Sequence, residues 1–253
     1  MSFVSLSAAS QPGSRLDRMD PRLRVVVTAL FALTTASLHS LGVVAVALGC
    51  AWVFVWIARL DLRSLLRRIC ALEGFMLLML VMLPFSTPGI PMFGYAGWTA
   101  SWEGFLLALT IILKANAVTF TALALVGTLE PESLGHAMAK LGMPQVLVQL
   151  FLLSVRYIGV FQEEHHRIRR AMQARGFVPR GDRHTWRSFG WLLGMLLVRS
   201  FERSQRVLAA MKCRGFTGQL PLFTMDRWQR CDTVALGMVS IFLIGLTYCE
   251  HFL

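Results

Sequence analysis

The chain has 253 residues, of which 55% are hydrophobic and only 15% are charged, and its mean hydropathy is +0.58. This composition is too apolar for an ordinary soluble domain and predicts a protein of the lipid bilayer. The net charge of +11 must therefore lie outside the hydrocarbon, where water, anionic lipid or an acidic partner can receive it.

Five apolar runs predict membrane-spanning helices, because a hydrocarbon core about 30 Å thick takes about 20 helical residues. The runs are 23–38, 41–57, 69–85, 104–128 and 233–248. The first two form a hairpin around His39 and Ser40. The uncharged segment 86–101 is rich in Pro and Gly and is predicted as a loop. We therefore predict an all-α integral membrane protein with four spans in residues 23–128 and a fifth in 231–253.

The basic residues lie on one side of this predicted topology, as expected for cytoplasmic segments of a membrane protein. They precede the first run, fill a predicted loop between the second and third runs, and crowd the segment between the fourth and fifth runs as far as Arg227 and Arg230. The first two groups are Arg15, Arg18, Arg22 and Arg24, and then Arg59, Arg63, Arg67 and Arg68. The segments around His39, over 86–101 and after Glu250 hold none. A cell-membrane protein with a cytoplasmic tail at 1–22 and an external C-terminus is predicted.

Residues 129–230 are predicted as a cytoplasmic coupling module. Pro144 and the turn near Pro179 divide this region into a short helix at 131–141 and two long helices at 145–176 and 186–215. The long helices carry apolar residues at intervals of three and four and many arginines at other positions. This pattern is typical of amphipathic helices that lie along a membrane surface or pack on one another.

The two long helices end in nearly the same string, AMQARGF at 171–177 and AMKCRGF at 210–216. Glycine just past a helix end favours the left-handed conformation that closes the last turn, and the next residue can pack back on the helix. The residues expected to form the two caps are Met172, Gly176, Phe177, Met211, Gly215 and Phe216. Two independent helix caps are one interpretation, but the repetition favours a duplicated docking device.

An arginine stands at each helix tip, Arg175 in the first copy and Arg214 in the second. A guanidinium that meets a carboxylate makes charge-assisted hydrogen bonds, each contributing about 1.5–3 kcal/mol. Two tips imply two sockets, and two equivalent sockets are what a dimeric or pseudo-dimeric partner offers.

These ends resemble the transmembrane T component of energy-coupling-factor (ECF) importers, which carries a pair of Ala-Arg-Gly-like triplets. The first triplet here is Ala174, Arg175 and Gly176, and the second is Cys213, Arg214 and Gly215, with Cys in place of the usual small first residue. The chain is most similar to the cobalt branch of that family, the CbiQ proteins. The strings that carry this similarity are LDRMDPR at 16–22, PFSTPG at 84–89 and GTLEP at 127–131.

The resemblance implies a transporter subunit that is not itself an enzyme. Two separate ATPase subunits would bind its triplets, and a membrane-embedded metal-binding subunit would carry the substrate, with a small accessory membrane subunit as a further candidate partner. ATP would then be bound by the ATPases and Co²⁺ by the substrate-binding subunit, so no cofactor is expected on this chain. Nickel or a vitamin is the alternative cargo within the family.

Two other groups of residues are candidate sites. Glu163, Glu164, His165 and His166 have the composition of a metal site, but adjacent helical side chains point about 100° apart. We interpret them as a solvated or interface face and predict no metal site. Lys114, with Asn116, lies within a predicted span, where an ionisable group is expensive. It is expected either to contact the substrate-binding subunit or to stabilise helix packing.

A membrane-bound enzyme of lipid or isoprenoid metabolism is the alternative from another functional class. Its arginines would hold phosphate, but Mg²⁺ chemistry usually needs acidic residues close together, and the only tight pair is Glu163 and Glu164. The sequence contains no P-loop, no zinc-protease motif and no nucleophile elbow. Nucleic acid is not an expected partner, because the membrane topology already accounts for the arginines.

Overall fold

The computed structural model describes residues 19–58, 62–88, 91–95, 98–216, 218 and 230–252. The helices are α1 (Pro21–Ser37), α2 (Leu41–Ile57), α3 (Leu62–Ser86), α4 (Trp102–Leu125), α5 (Pro131–Lys140), α6 (Gln145–Ala174), α7 (Arg183–Cys213) and α8 (Arg230–Phe252). Two short antiparallel strands, β1 (Pro91–Tyr95) and β2 (Trp98–Ser101), lie between α3 and α4. The prediction of an all-α membrane protein is confirmed.

The chain forms two compact units. The membrane unit comprises Met1–Ala137 and Met225–Leu253, and the two-helix unit comprises Met138–Thr224. Most of the predicted tail at 1–22, together with Arg59, Gly89 and Arg227, lies outside the described residues.

Three of the described helices are long and apolar enough to cross a membrane: α4, α6 and residues 232–250 of α8. Shorter apolar helical segments occur at Leu41–Ile57 and Gly74–Ser86. The sequence predicted α6 as an amphipathic cytoplasmic helix, whereas by length and composition α6 is also a candidate membrane span. Its apolar residues are concentrated before residue 162, whereas charged residues dominate 163–170.

The core of the membrane unit lies between α1, α2, α4 and α8. Ala47 and Ala51 of α2 are fully buried, as are Ala117 and Ala124 of α4. Small residues let helix backbones approach closely and pack by van der Waals contact. This packing favours helix association in lipid, where the hydrophobic effect between helices is weak because the lipid tails are themselves apolar. The spacing of these alanines therefore explains why α2 packs closely on α4.

Two details of the membrane unit differ from the prediction. α3 begins at Leu62, so Arg63, Arg67 and Arg68 lie in its first turns and not in a loop; arginine has a high helix propensity, and no Pro or Gly interrupts these turns. The loop prediction for 86–101 is wrong for the two strands, which pair Gly94 with Thr99. Aromatic and β-branched residues in this segment favour extended structure.

Residues 84–88, the described part of the string at 84–89, lie where α3 approaches α4. Ser101 caps α4 by accepting a hydrogen bond from the Gly104 N–H at 3.2 Å, and its hydroxyl donates to the Pro84 carbonyl at 3.3 Å. A Cβ on Gly104 would lie 2.1 Å from Thr87 Oγ1 and 2.8 Å from Pro84 Cα. Glycine at 104 thus permits the close approach of the two helices.

A buried polar cluster joins α1, the end of α4 and the start of α8. Asp20 donates its backbone N–H to Asp232 Oδ1 at 3.4 Å, and Arg24 Nη1 donates to Thr128 Oγ1 at 3.4 Å. All four residues are buried. Asp20 also caps α1 by accepting the Arg22 N–H at 3.0 Å. Asp20 of the string at 16–22 and Thr128 of the string at 127–131 therefore belong to one cluster.

Candidate docking site

The last turn of α6 closes in the manner expected from its sequence. The Phe177 N–H donates to the Met172 carbonyl at 3.1 Å, and the Gly176 N–H donates to the Gln173 carbonyl at 3.0 Å. Gly176 has φ +78°, in the left-handed region. This pair of bonds is the Schellman motif, which satisfies carbonyls that a helix end would otherwise leave open.

The end of α7 repeats this geometry. The Phe216 N–H donates to the Met211 carbonyl at 3.1 Å, and the Gly215 N–H donates to the Lys212 carbonyl at 3.0 Å. Gly215 also has φ +78°. The repeated string thus produces a repeated structure, down to the same hydrogen bonds.

The arginines occupy equivalent positions at these two tips. Arg175 is the C-cap residue of α6, with φ −88° and ψ 13°, and Arg214 is the C-cap residue of α7, with φ −93° and ψ 13°. Both side chains are exposed. Neither guanidinium forms an ion pair with another described residue. Two matched cations are therefore presented at the surface of the two-helix unit.

The triplets straddle the ends of their helices. α6 ends at Ala174 and α7 at Cys213, two residues before the expected 176 and 215, because the cap arginine and the left-handed glycine fall outside the helix. α7 begins at Arg183, three residues before the expected 186. Thr185 lies in this first turn, and its hydroxyl accepts the Arg180 N–H at 3.1 Å.

An ion pair and an aromatic contact join α6 to α7. Glu164 of α6 pairs with Arg199 of α7, and the rings of Phe177 and Phe189 meet edge to face with centroids 6.0 Å apart. Neither contact was predicted from the sequence. The available signal was the position of Glu164, an acidic residue in a strongly basic helix.

An apolar groove lies between the first half of α6 and the second half of α7. Its lining includes Leu150, Leu153, Tyr157, Phe161, Val207 and Leu208. Several of these belong to the predicted apolar stripes, and Leu150 is 56% exposed. The stripes of the two helices thus contribute to a joint surface on the two-helix unit.

Glu164 and its neighbours do not converge on a common point. Glu164 is engaged by Arg199 and by Arg167, Glu163 is exposed, and the ring centroids of His165 and His166 lie 5.8 Å apart. Within the described ranges, no group of three or more His, Cys, Asp or Glu residues could hold a metal ion.

Lys114 contributes to the end of the α1–α2 hairpin. Its Nζ donates to the Ala36 carbonyl at 3.3 Å, near the C-terminus of α1. On the other side of the turn, the Glu250 carboxylate accepts hydrogen bonds from the backbone N–H groups of His39 and Ser40 and from the Ser40 hydroxyl. The Lys114 cation thus lies at the C-terminus of α1 and the Glu250 anion at the N-terminus of α2, which are the charges that the two helix dipoles favour. Asn116 also makes an interaction within the chain.

Comparison with known proteins agrees with this architecture. The family model described as CbiQ, cobalt transport protein, matches residues 13–225. An energy-coupling factor transporter transmembrane protein EcfT of Staphylococcus aureus is 26% identical, over 93% of this chain and 94% of its own length. The EcfT protein of Thermanaerovibrio acidaminovorans is 26% identical over 78% of each chain.

A third relative is named for cobalt. It is a protein of Methanocorpusculum labreanum named as a fused cobalt transport protein CbiMQ, and it is 33% identical over 36% of this chain and 15% of its own length. The family match covers well over half of the chain and includes both arginine tips. The chain therefore belongs to the CbiQ cobalt transport protein family, as a transmembrane T component of the energy-coupling factor type.

Proposed function

We propose that this chain transmits motion from two ATPase subunits to a membrane-embedded substrate-binding subunit in an importer of Co²⁺. The observation that carries the proposal is the duplicated cap, in which Arg175 and Arg214 stand exposed in the same backbone geometry. In this proposal the chain itself catalyses no reaction.

The caps suit a docking role because each arginine is mounted on a stiff support. α6 has 30 residues and α7 has 31, which corresponds to about 45 Å of helix each at 1.5 Å per residue. A displacement applied to either tip is carried along the helix without a flexible joint. A guanidinium is matched by a carboxylate-lined socket, so the proposed partners present acidic grooves.

We infer that the N-terminus and the two-helix unit face the cytoplasm, where ATP is available, and that the C-terminus faces the exterior. Support comes from the segregation of the arginines, which are absent from 86–101 and from 250–253. The docking residues are 174–176 and 213–215, and ATP and Co²⁺ are bound by the partner subunits.

Cobalt is the proposed cargo because the family description and one relative are named for cobalt transport. Nickel and vitamins are the alternatives. The lipid or isoprenoid enzyme loses support, since Glu164 is engaged by two arginines and is not available with Glu163 as a Mg²⁺ pair.

Metal uptake tests the proposal. Cells expressing the chain with its ATPase and substrate-binding partners are expected to accumulate radioactive Co²⁺, and cells lacking only this chain are expected to lose that uptake. Ni²⁺ should be taken up poorly. Equal Co²⁺ uptake with and without the chain would refute the proposed function, and preferred Ni²⁺ uptake would refute the proposed cargo.

A further inference from the structure

Glu164 lies at the point where α6 and α7 meet. Its carboxylate pairs with Arg199 on α7 and lies 3.7 Å from Nη1 of Arg167 on its own helix, and the side chain is only 18% exposed. Among the described ion pairs, the one between Glu164 and Arg199 alone joins α6 to α7. This carboxylate therefore connects the two helices.

The surroundings of this pair are strongly basic. The adjoining polar groove is lined by Arg167 from α6 and by Arg199, Arg203 and Arg206 from α7. Its other acidic residue, Glu202, pairs with Arg206 on the same helix at 3.8 Å, so it does not link the helices. Arg167 and Arg199 both lie beside the Glu164 carboxylate, so without Glu164 these two nearby guanidinium groups would repel one another. Glu164 therefore offsets a repulsion that would open the crossing.

The two helices run antiparallel through this crossing. Phe177, just past the end of α6, contacts Phe189 near the start of α7, whereas Tyr157 earlier in α6 lines the apolar groove with Val207 late in α7. The two arginine tips consequently lie on opposite sides of the ion pair.

The distances from the ion pair to the tips follow from the helix rise. Arg175 comes eleven residues after Glu164, and Arg214 comes fifteen residues after Arg199. At 1.5 Å per residue, these spacings are about 16 Å and about 22 Å along the helix axes. A change in the crossing angle at Glu164 therefore changes the separation of the tips.

We propose that Glu164 is a positioning residue for transport, whose pair with Arg199 fixes the crossing of α6 and α7 and thereby the spacing at which Arg175 and Arg214 meet their partners. The link to transport rests on the proposed function, in which the tips dock two ATPases. The effect on the crossing itself does not, because it depends only on contacts within the two-helix unit.

The crossing is tested on the full chain alone in lipid nanodiscs. Spin labels are attached at Gln173→Cys and Lys212→Cys, both exposed positions near the tips, after the native cysteines are replaced by serine. Pulsed electron paramagnetic resonance then gives the distance distribution between the labels. Glu164→Gln is expected to broaden or shift this distribution, whereas the matched control Glu202→Gln leaves it unchanged. An unaltered distribution in Glu164→Gln overturns the proposal.

Charge exchange provides a stricter criterion. Glu164→Arg and Arg199→Glu are each expected to disturb the distance distribution, and the double variant that carries both changes is expected to restore it. A general packing defect at either position would not be repaired by the second substitution. Failure of the double variant to restore the distribution contradicts the role of the ion pair.

The assembled transporter provides the functional measurement. Glu164→Gln is expected to reduce the Co²⁺ transported per ATP hydrolysed about two- to fivefold, the range for a partly exposed ion pair, while the ATPases still co-purify. An unchanged ratio overturns the positioning role. If the wild-type chain did not bind the ATPase subunits, the proposed function would be refuted. The spin-label distances would still decide whether Glu164 sets the crossing of α6 and α7.

Discussion

The backbone N–H of Asp20 reaches the carboxylate of Asp232, 212 residues further along the chain, at 3.4 Å. Asp20 precedes α1 and Asp232 lies in the first turn of α8, so the contact holds together the two ends of the membrane unit. Arg24 connects the same cluster to Thr128, just after α4. Thr128 and Asp232 are therefore both held beside the start of α1.

Removing the arginine of this cluster should destabilise the protein strongly. Arg24→Ala deletes a 2% exposed charged residue and its hydrogen bond to Thr128. We expect the free energy of unfolding to fall by about 3 kcal/mol, because removing one partner of a buried polar contact leaves the other buried without its hydrogen bond. Denaturation of the detergent-solubilised chain, followed by tryptophan fluorescence, measures this change.

The control for Arg24→Ala is Arg22→Ala, which changes an arginine two residues after Asp20. The Arg22 side chain is 26% exposed, and its Nε lies 3.8 Å from Asp20 Oδ1. Its removal should lower the free energy of unfolding by about 1 kcal/mol or less. Equal losses in the two variants would mean that the buried cluster contributes no more than a surface ion pair.

Lys114 is predicted to act in helix packing and not in binding another subunit. Lys114→Met removes the hydrogen bond to the Ala36 carbonyl and should lower the free energy of unfolding by about 1 kcal/mol, because the last carbonyls of α1 lose a partner. Affinity for the substrate-binding subunit should stay within a factor of two, as measured by co-purification at graded expression levels. A variant of wild-type stability that fails to retain that subunit would support the opposite role.

The two cap glycines are predicted to be equally sensitive to substitution. Gly176→Ala and Gly215→Ala meet no neighbouring atom within 4 Å, so steric overlap is not the cause. An L-residue in the left-handed region costs about 1–2 kcal/mol, and we expect each helix end to fray by that amount. Hydrogen exchange of the amides of Phe177 and Phe216 reports this opening.

Gly190→Ala is the matched control for the caps. Gly190 lies within α7, and a Cβ there also meets open space. Alanine in a helix interior is favoured over glycine by about 0.5–1 kcal/mol, so exchange in α7 should slow. Faster exchange in this variant than in the two cap variants would refute the interpretation of the caps.

The sequence was sufficient for features that depend on local chemistry. The Arg-Gly-Phe string defines a Schellman cap by itself, because the left-handed glycine and the two backbone hydrogen bonds lie within six residues. Apolar runs similarly predicted α2, α4 and α8 to within a few residues at each end. Features that depend on distant partners were missed. An acidic residue in a basic helix indicates that Glu164 has a basic partner, but it does not identify Arg199, and nothing near Lys114 indicates Ala36. Each contact requires knowledge of how two helices pack.

The strands β1 and β2 show a different limit. Proline and glycine in 86–101 favour turns, so this segment was predicted as a loop. Its aromatic residues favour extended backbone instead, and two short strands form. The beginning of α3 was missed for a related reason, since arginines were assigned to a loop by topology although their helix propensity is high.

Co-purification of the ATPase subunits tests the central claim most directly. The chain is expressed with its partners as wild type, as Arg175→Ala with Arg214→Ala, and as the control Arg180→Ala, which removes an exposed arginine between the two helices. The double variant should remain folded in the membrane and lose its ATPases, whereas the control retains them. An intact, transport-competent complex recovered with the double variant would contradict the account.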